Sequence, residues 1–189
     1  MGLIMKALLF VTTSAILSSS FLQAVETPPT PVTVNGGTVN FKGEFVNAPC
    51  VVSSDTANQT VDLGQYRTAS LTAKDAQTAK VPFEIKLVNC DATTLKTASF
   101  AFYGTADSAN PNLLGVVASS ANAEGAKGVG IGIYDAAGTL LKPDGATQSV
   151  KTKLLDGTTT VNFSANYVAT AAVTAGEANS SANFMITYE

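Results

Sequence analysis

An all-β sandwich with immunoglobulin-like packing of two sheets is the fold class that this sequence predicts, on three observations. Apolar and polar residues alternate with period two along most of the chain. No window has a convincing amphipathic helix face; the best candidate, "TASLTAKDAQTAK" from Thr68 to Lys80, is mostly polar and reads as a loop or one short helical turn. Turn signals such as "NPN", "AAG", "KPDG" and "LLDG" separate the alternating runs.

The first element is an expected signal peptide over residues 1–24. Lys6 is followed by the apolar, small-residue run "ALLFVTTSAILSSSFLQA", which ends at Ala24. Its apolar core is short, and no later stretch approaches the roughly 20 apolar residues a membrane helix needs. An exported, soluble mature chain is therefore expected. Met5, directly before Lys6, would make a more usual signal start than Met1.

Cleavage after Ala24 leaves 165 of the 189 residues, enough for one domain with a real core. Without Lys6 the chain has 10 basic residues against 14 acidic ones, an acidic balance that disfavours nucleic acid as a partner. Histidine is absent, which removes the commonest metal ligand and general base. No cofactor and no enzymatic activity are expected. Cys50 and Cys90 are the only cysteines, and an even pair in an exported chain reads as a disulfide.

After the signal, "VETPPTP" is a proline-rich, extended leader. Strands are expected in "TVNFKGEFV", "TVDLG", "VPFEIKLVNC", "SFAFYG", "GVGIGIYD", "TTTVNFSANYVAT" and "ANFMITYE". Asp156-Gly157, between two alternating runs, signals a hairpin, and Pro143-Asp144-Gly145 a β-turn. In "KGVGIGIYD" the glycines alternate with Val129, Ile131 and Ile133 and no helix follows, so a strand is expected rather than a phosphate loop. Gly128, Gly130 and Gly132 would leave room for another backbone or sheet to come close. No carboxylate pair stands out as an acid and base set. Tyr66-Arg67 is either a surface recognition pair or an aromatic packed under a loop.

The two ends carry the functional signal. "SSANFMITYE" places Ala182, Phe184, Ile186 and Tyr188 on one strand face, with nothing after Glu189 to cover that strand's far edge, so an open apolar groove is expected there. Near the other end, "PVTVNGGTVNF" alternates without an obvious partner of its own. Inserted into the groove of another copy, it would supply main-chain hydrogen bonds and alternate side chains. Head-to-tail, that association builds an open filament. The competing readings are a segment that is simply the domain's own first strand, a self-contained exported binding module, and a secreted hydrolase.

The stretches "TPVTVNGGTVNFKGEFVNAPC", "VDLGQYRTASLT", "LVNCD", "LKPDGAT" and "NYVATAAVTAGEANSSANFMITYE" resemble the major subunits of type 1 fimbriae, chaperone-usher pilins of Gram-negative bacteria, over essentially the whole mature chain. The resemblance implies an incomplete immunoglobulin-like sandwich lacking its last, seventh strand, with Cys50 and Cys90 bridged. It implies an N-terminal donor-strand extension over residues 25–40 and a pilin domain over 41–189. Thr30, Val32, Val34, Gly36 and Thr38 would fill successive pockets of a neighbouring copy. Gly176, Phe184, Ile186 and Tyr188 would belong to the groove strand and its chaperone-recognition motif. Implied partners are neighbouring copies of the same pilin, a periplasmic chaperone, an outer-membrane usher and minor fimbrial subunits at the tip. The implied destination is an extracellular fimbrium, reached through the periplasm, with a minor-subunit role as the alternative.

Overall fold

A computed structural model describes residues 30–43, 45, 47–119 and 123–189. The expected signal peptide and residues 25–29 of the leader lie outside these. The chain divides into a first unit that ends at Gly43 and a second from Glu44 to Glu189.

The second unit is a two-sheet β-sandwich. Its strands are β1 (Val51–Val52), β2 (Val81–Cys90), β3 (Thr97–Gly104), β4 (Leu114–Gly115), β5 (Lys127–Asp135), β6 (Leu140–Leu141), β7 (Thr152–Lys153), β8 (Gly157–Thr174) and β9 (Ala182–Tyr188). One sheet runs β1-β2-β8-β5-β4, with β6 also on β5, and the other runs β7-β3-β9. Every strand ladder is antiparallel. Strand β8, 18 residues long, serves both neighbours: its first half pairs with β2 and its second half with β5.

The alternation read from the sequence becomes the core. Val161, Phe163 and Ala165 of β8 and Val129, Ile131 and Ile133 of β5 are buried. Across from them β3 contributes Phe100 and Phe102, whose rings meet Phe163 at centroid distances of 5.4 and 5.3 Å in edge-to-face contact. Phe83 stacks on Phe163 at 5.5 Å. The Cys50–Cys90 disulfide is formed and ties the start of β1 to the end of β2.

Three expectations change. Asp156-Gly157 does not close a hairpin. Strand β7 before it lies in one sheet and β8 after it in the other, so the turn, with Gly157 at φ +87°, carries the chain across the sandwich. "TVDLG" forms no strand, and neither do the described residues of "TVNFKGEFV". The glycines of β5 do not share one role. A Cβ at Gly128 would lie 2.4 Å from the Ala172 carbonyl oxygen and one at Gly130 3.1 Å from the Leu114 carbonyl oxygen, both close backbone approach, whereas at Gly132 it would meet the Tyr134 ring. The helical turn expected in 68–80 is a 3-10 helix over Thr68–Ser70, and a four-residue α-helix, α1 (Ser54–Ala57), is an addition.

Candidate functional site: an apolar groove beside the last strand

Strand β9 pairs with β3 from Gly104↔Ala182 to Ala98↔Tyr188. Its other edge has no ladder partner among the described residues. Burial alternates along it: Ala182, Phe184, Ile186 and Tyr188 are half-buried against the core, while Asn183, Met185 and Thr187 face outward. A half-buried Phe or Ile on a core-facing position marks a core not closed on that side.

The opening is a hollow of about 1100 Å³. One wall is β9 at Ala182–Phe184 and the opposite wall is the stretch Asn58–Gly64, which has neither strand nor helix. Val61 and Leu63 of that stretch are half-buried and keep the strand-like alternation seen in the sequence. The floor is core: Phe83, Ile85, Phe102, Ile131, Ile133 and Ala165. An apolar trench of this length between two backbone stretches without a ladder partner on the trench side suits one extended chain.

The expected groove residues separate by role. Phe184 lines the hollow, whereas Ile186 and Tyr188 continue the same stripe and pack against the core beside it. Partial burial pushes the Tyr188 phenol above its ordinary range, and the hydroxyl donates to the Cys50 carbonyl oxygen at 3.4 Å. Gly176 has a packing reason to be small. A Cβ there would lie 2.5 Å from the Ala126 amide nitrogen and 2.7 Å from the Glu124 carbonyl oxygen.

The first unit, taken by itself, has no assigned secondary structure in residues 30–43. Thr30, Val32, Val34, Gly36 and Thr38 are all exposed, and a Cβ built on Gly36 meets nothing within 4 Å. The expected stripe is interrupted just past Val34: the Gly37 amide donates to the Asn35 side-chain oxygen at 3.1 Å, and Gly37 sits at φ +117°. Beyond that turn the apolar residues change parity, to Val39, Phe41 and Phe45, with Gly43 between the two aromatics. Phe41 is 92% exposed and Phe45 fully so. This odd-numbered stripe falls within "TVNFKGEFV", expected as a strand but not as the donor. The signal was there in "VNFKGEF", masked by the preceding even-numbered run.

Among the described residues no three His, Cys, Asp or Glu side chains are grouped as metal ligands would be. No helix among them is long and apolar enough to cross a membrane.

Comparison with known proteins follows the same lines. The family model described as "Fimbrial protein" matches residues 39–189. The type-1 fimbrial protein A chain of Salmonella typhi is 52% identical over 179 residues, covering 94% of this chain and 97% of that protein. The corresponding A chain of Escherichia coli is 46% identical over 185 residues, covering 97% and 98%. Among solved structures, a chaperone-usher pilus studied for rod uncoiling is similar with TM-score 0.68 and 29% identity, over 86% of this chain and all of that one. The P pilus rod subunit PapA is similar with TM-score 0.63 and 28% identity, over 75% of this chain and all of that one.

Proposed function

This chain belongs to the fimbrial protein family, and on that premise we propose that it polymerises by donating its N-terminal segment as a strand to the groove of the next copy. It is a structural subunit of type 1-like fimbriae, exported and assembled outside the cell. The observation that carries the mechanism is the β9 edge, which has no ladder partner among the described residues beside the apolar trench floored by Phe83, Ile85 and Ile131. A donated strand would satisfy that edge with main-chain hydrogen bonds and cover the floor with alternate side chains. Each fully buried Val or Phe would contribute about 1.5–3 kcal/mol.

The donor lies within residues 25–45, and two stripes compete for the pockets. The even-numbered one, Thr30, Val32, Val34, Gly36 and Thr38, has two sizeable apolar side chains and is bent at Asn35–Gly37. The odd-numbered one, Val39, Phe41, Gly43 and Phe45, has three, two of them aromatic and almost fully exposed. Buried area favours the second, with Gly43 as the small member where two backbones come close.

Before donation the groove strand, with Gly176, Phe184, Ile186 and Tyr188, is the surface for a periplasmic chaperone. An outer-membrane usher is the site of exchange and minor subunits form the tip. No catalytic role is assigned.

Gly43→Arg and Gly36→Arg separate the stripes. If the odd-numbered stripe is seated, Gly43→Arg abolishes heat-labile polymer ladders on denaturing gels while Gly36→Arg leaves them; the reverse result selects the even-numbered stripe. Normal ladders from both variants would remove strand donation as the mechanism.

A further inference from the structure

A second hollow, of about 830 Å³, opens at the end of the groove where β9 begins; the two share Gly64, Tyr167, Ala178 and Asn179 as lining. Its floor is the small satellite core of Leu71 and Val129. Tyr66 stands at its mouth, edge-on to Tyr167 at 6.0 Å and still 43% exposed. Beside it Arg67 is exposed and makes no ion pair among the described residues. The one carboxylate in the lining, Glu177, is already engaged: it accepts from the Ser119 amide at 2.6 Å and from the Asn179 side-chain amide at 3.3 Å.

What covers this mouth follows from tether length, on the strand-donation reading above. Every ladder in the sandwich is antiparallel, so the strand that extends the β9 sheet most favourably runs antiparallel to β9. Its C-terminal end then emerges where β9 begins, beside the second hollow. Phe45 is only five residues before Cys50, which the disulfide fixes to the donor's own sandwich. Five extended residues span at most about 18 Å. The donor's sandwich must therefore abut the acceptor at this mouth, and it does so with its disulfide-bearing end.

That end is acidic. The Asp91 amide donates to the Pro49 carbonyl oxygen at 2.8 Å, and Asp156 accepts from the Ala92 amide at 2.9 Å, which places two exposed carboxylates beside the bridge. We infer that the second hollow, with Tyr66 and Arg67 on its rim, is a body-to-body contact between successive copies in which Arg67 faces Asp91 and Asp156 of the next copy. Tyr66 would lose its exposed face to the contact and Arg67 would set its register and speed, as rim charges do.

The test uses the purified full chain in two assays: self-polymerisation, and capture of a labelled free peptide covering residues 30–46. The peptide has the donor strand but not the acidic body. Arg67→Glu is expected to slow polymerisation roughly tenfold and reverse its salt dependence, since salt now screens a repulsion, with peptide capture unchanged. Asp91→Lys with Asp156→Lys should do the same, and chains combining all three changes should recover most of the rate. Wild-type polymerisation by Arg67→Glu, or no recovery in the combined variant, would overturn the contact. Failure of the wild-type chain to capture the peptide would instead overturn strand donation and take this inference with it.

Discussion

Single residues set the local limits. Asp135 is 4% exposed, yet its carboxylate accepts from the amides of Ala137, Thr139 and Val150 at 2.8–3.0 Å, pinning the β5–β6 turn to the segment that leads into β7. Asp135→Asn puts an NH₂ group opposite one of those donors, and we expect a loss of about 1–3 kcal/mol, measurable by denaturant unfolding of the monomer. Exposed carboxyls respond to acid. Asp144 is held below its ordinary range chiefly by the Thr147 and Ala146 amides, and Glu177 by the Ser119 amide. A carboxyl lowered by folding contributes stability above its unfolded pKa and loses it as pH falls through the folded one, so melting temperature should decline below about pH 4. Burial raises Tyr134, Tyr167 and Tyr188. Their contribution is complete below the unfolded value near 10 and is lost as pH climbs through the folded values. A melting curve across pH should therefore be flat in the middle and fall at both ends. Asp144→Ala should make the acid limb shallower, and an unchanged limb would unlink that turn from the acid response.

At the scale of elements, backbone contact rather than side-chain chemistry decides two glycines. Gly176→Val would drive a side chain into the Glu124–Ala126 backbone, and Gly128→Ala would add strain at φ +71° to a contact of 2.4 Å. Both variants should fail to accumulate as folded protein on a solubility assay, whereas Gly36→Ala, in open space, should not. Strands β2, β3, β5, β8 and β9 were legible because each keeps period two over seven residues or more. The crossing at Asp156-Gly157 was not, because turn chemistry states that the chain reverses and not which sheet the next strand joins. "TVDLG" reads as a strand because it has a strand's alternation, and the structure puts it on the groove wall without a partner. The site's strand side was legible from β9 alone. The donor side was legible in part, since "TVNG" and "VNFKGEF" alternate in opposite phase and only the Asn35–Gly37 turn shows where one phase ends.

For the whole molecule, the described residues of the sandwich leave the β9 edge and the core beside it uncovered, and on the proposed mechanism its stability is tied to what fills the groove. By loop entropy, the bridge between Cys50 and Cys90, 40 residues apart, contributes about 4 kcal/mol. Cys50→Ser should lower the yield of folded subunit in the periplasm, and normal accumulation would show the bridge to be dispensable. The same bridge has a mechanical consequence. Tension along a filament of donated strands would enter each subunit near Phe45 and reach Cys50 five residues later. There the covalent cross-link hands it to Cys90 at the end of β2, so the loop between the two cysteines, β1 and α1 included, stays out of the load path. Stretched singly, an oxidised subunit should release a contour shorter by that loop than a reduced one, and the part of the acceptor wall between Asn58 and Gly64 should keep its place under pull.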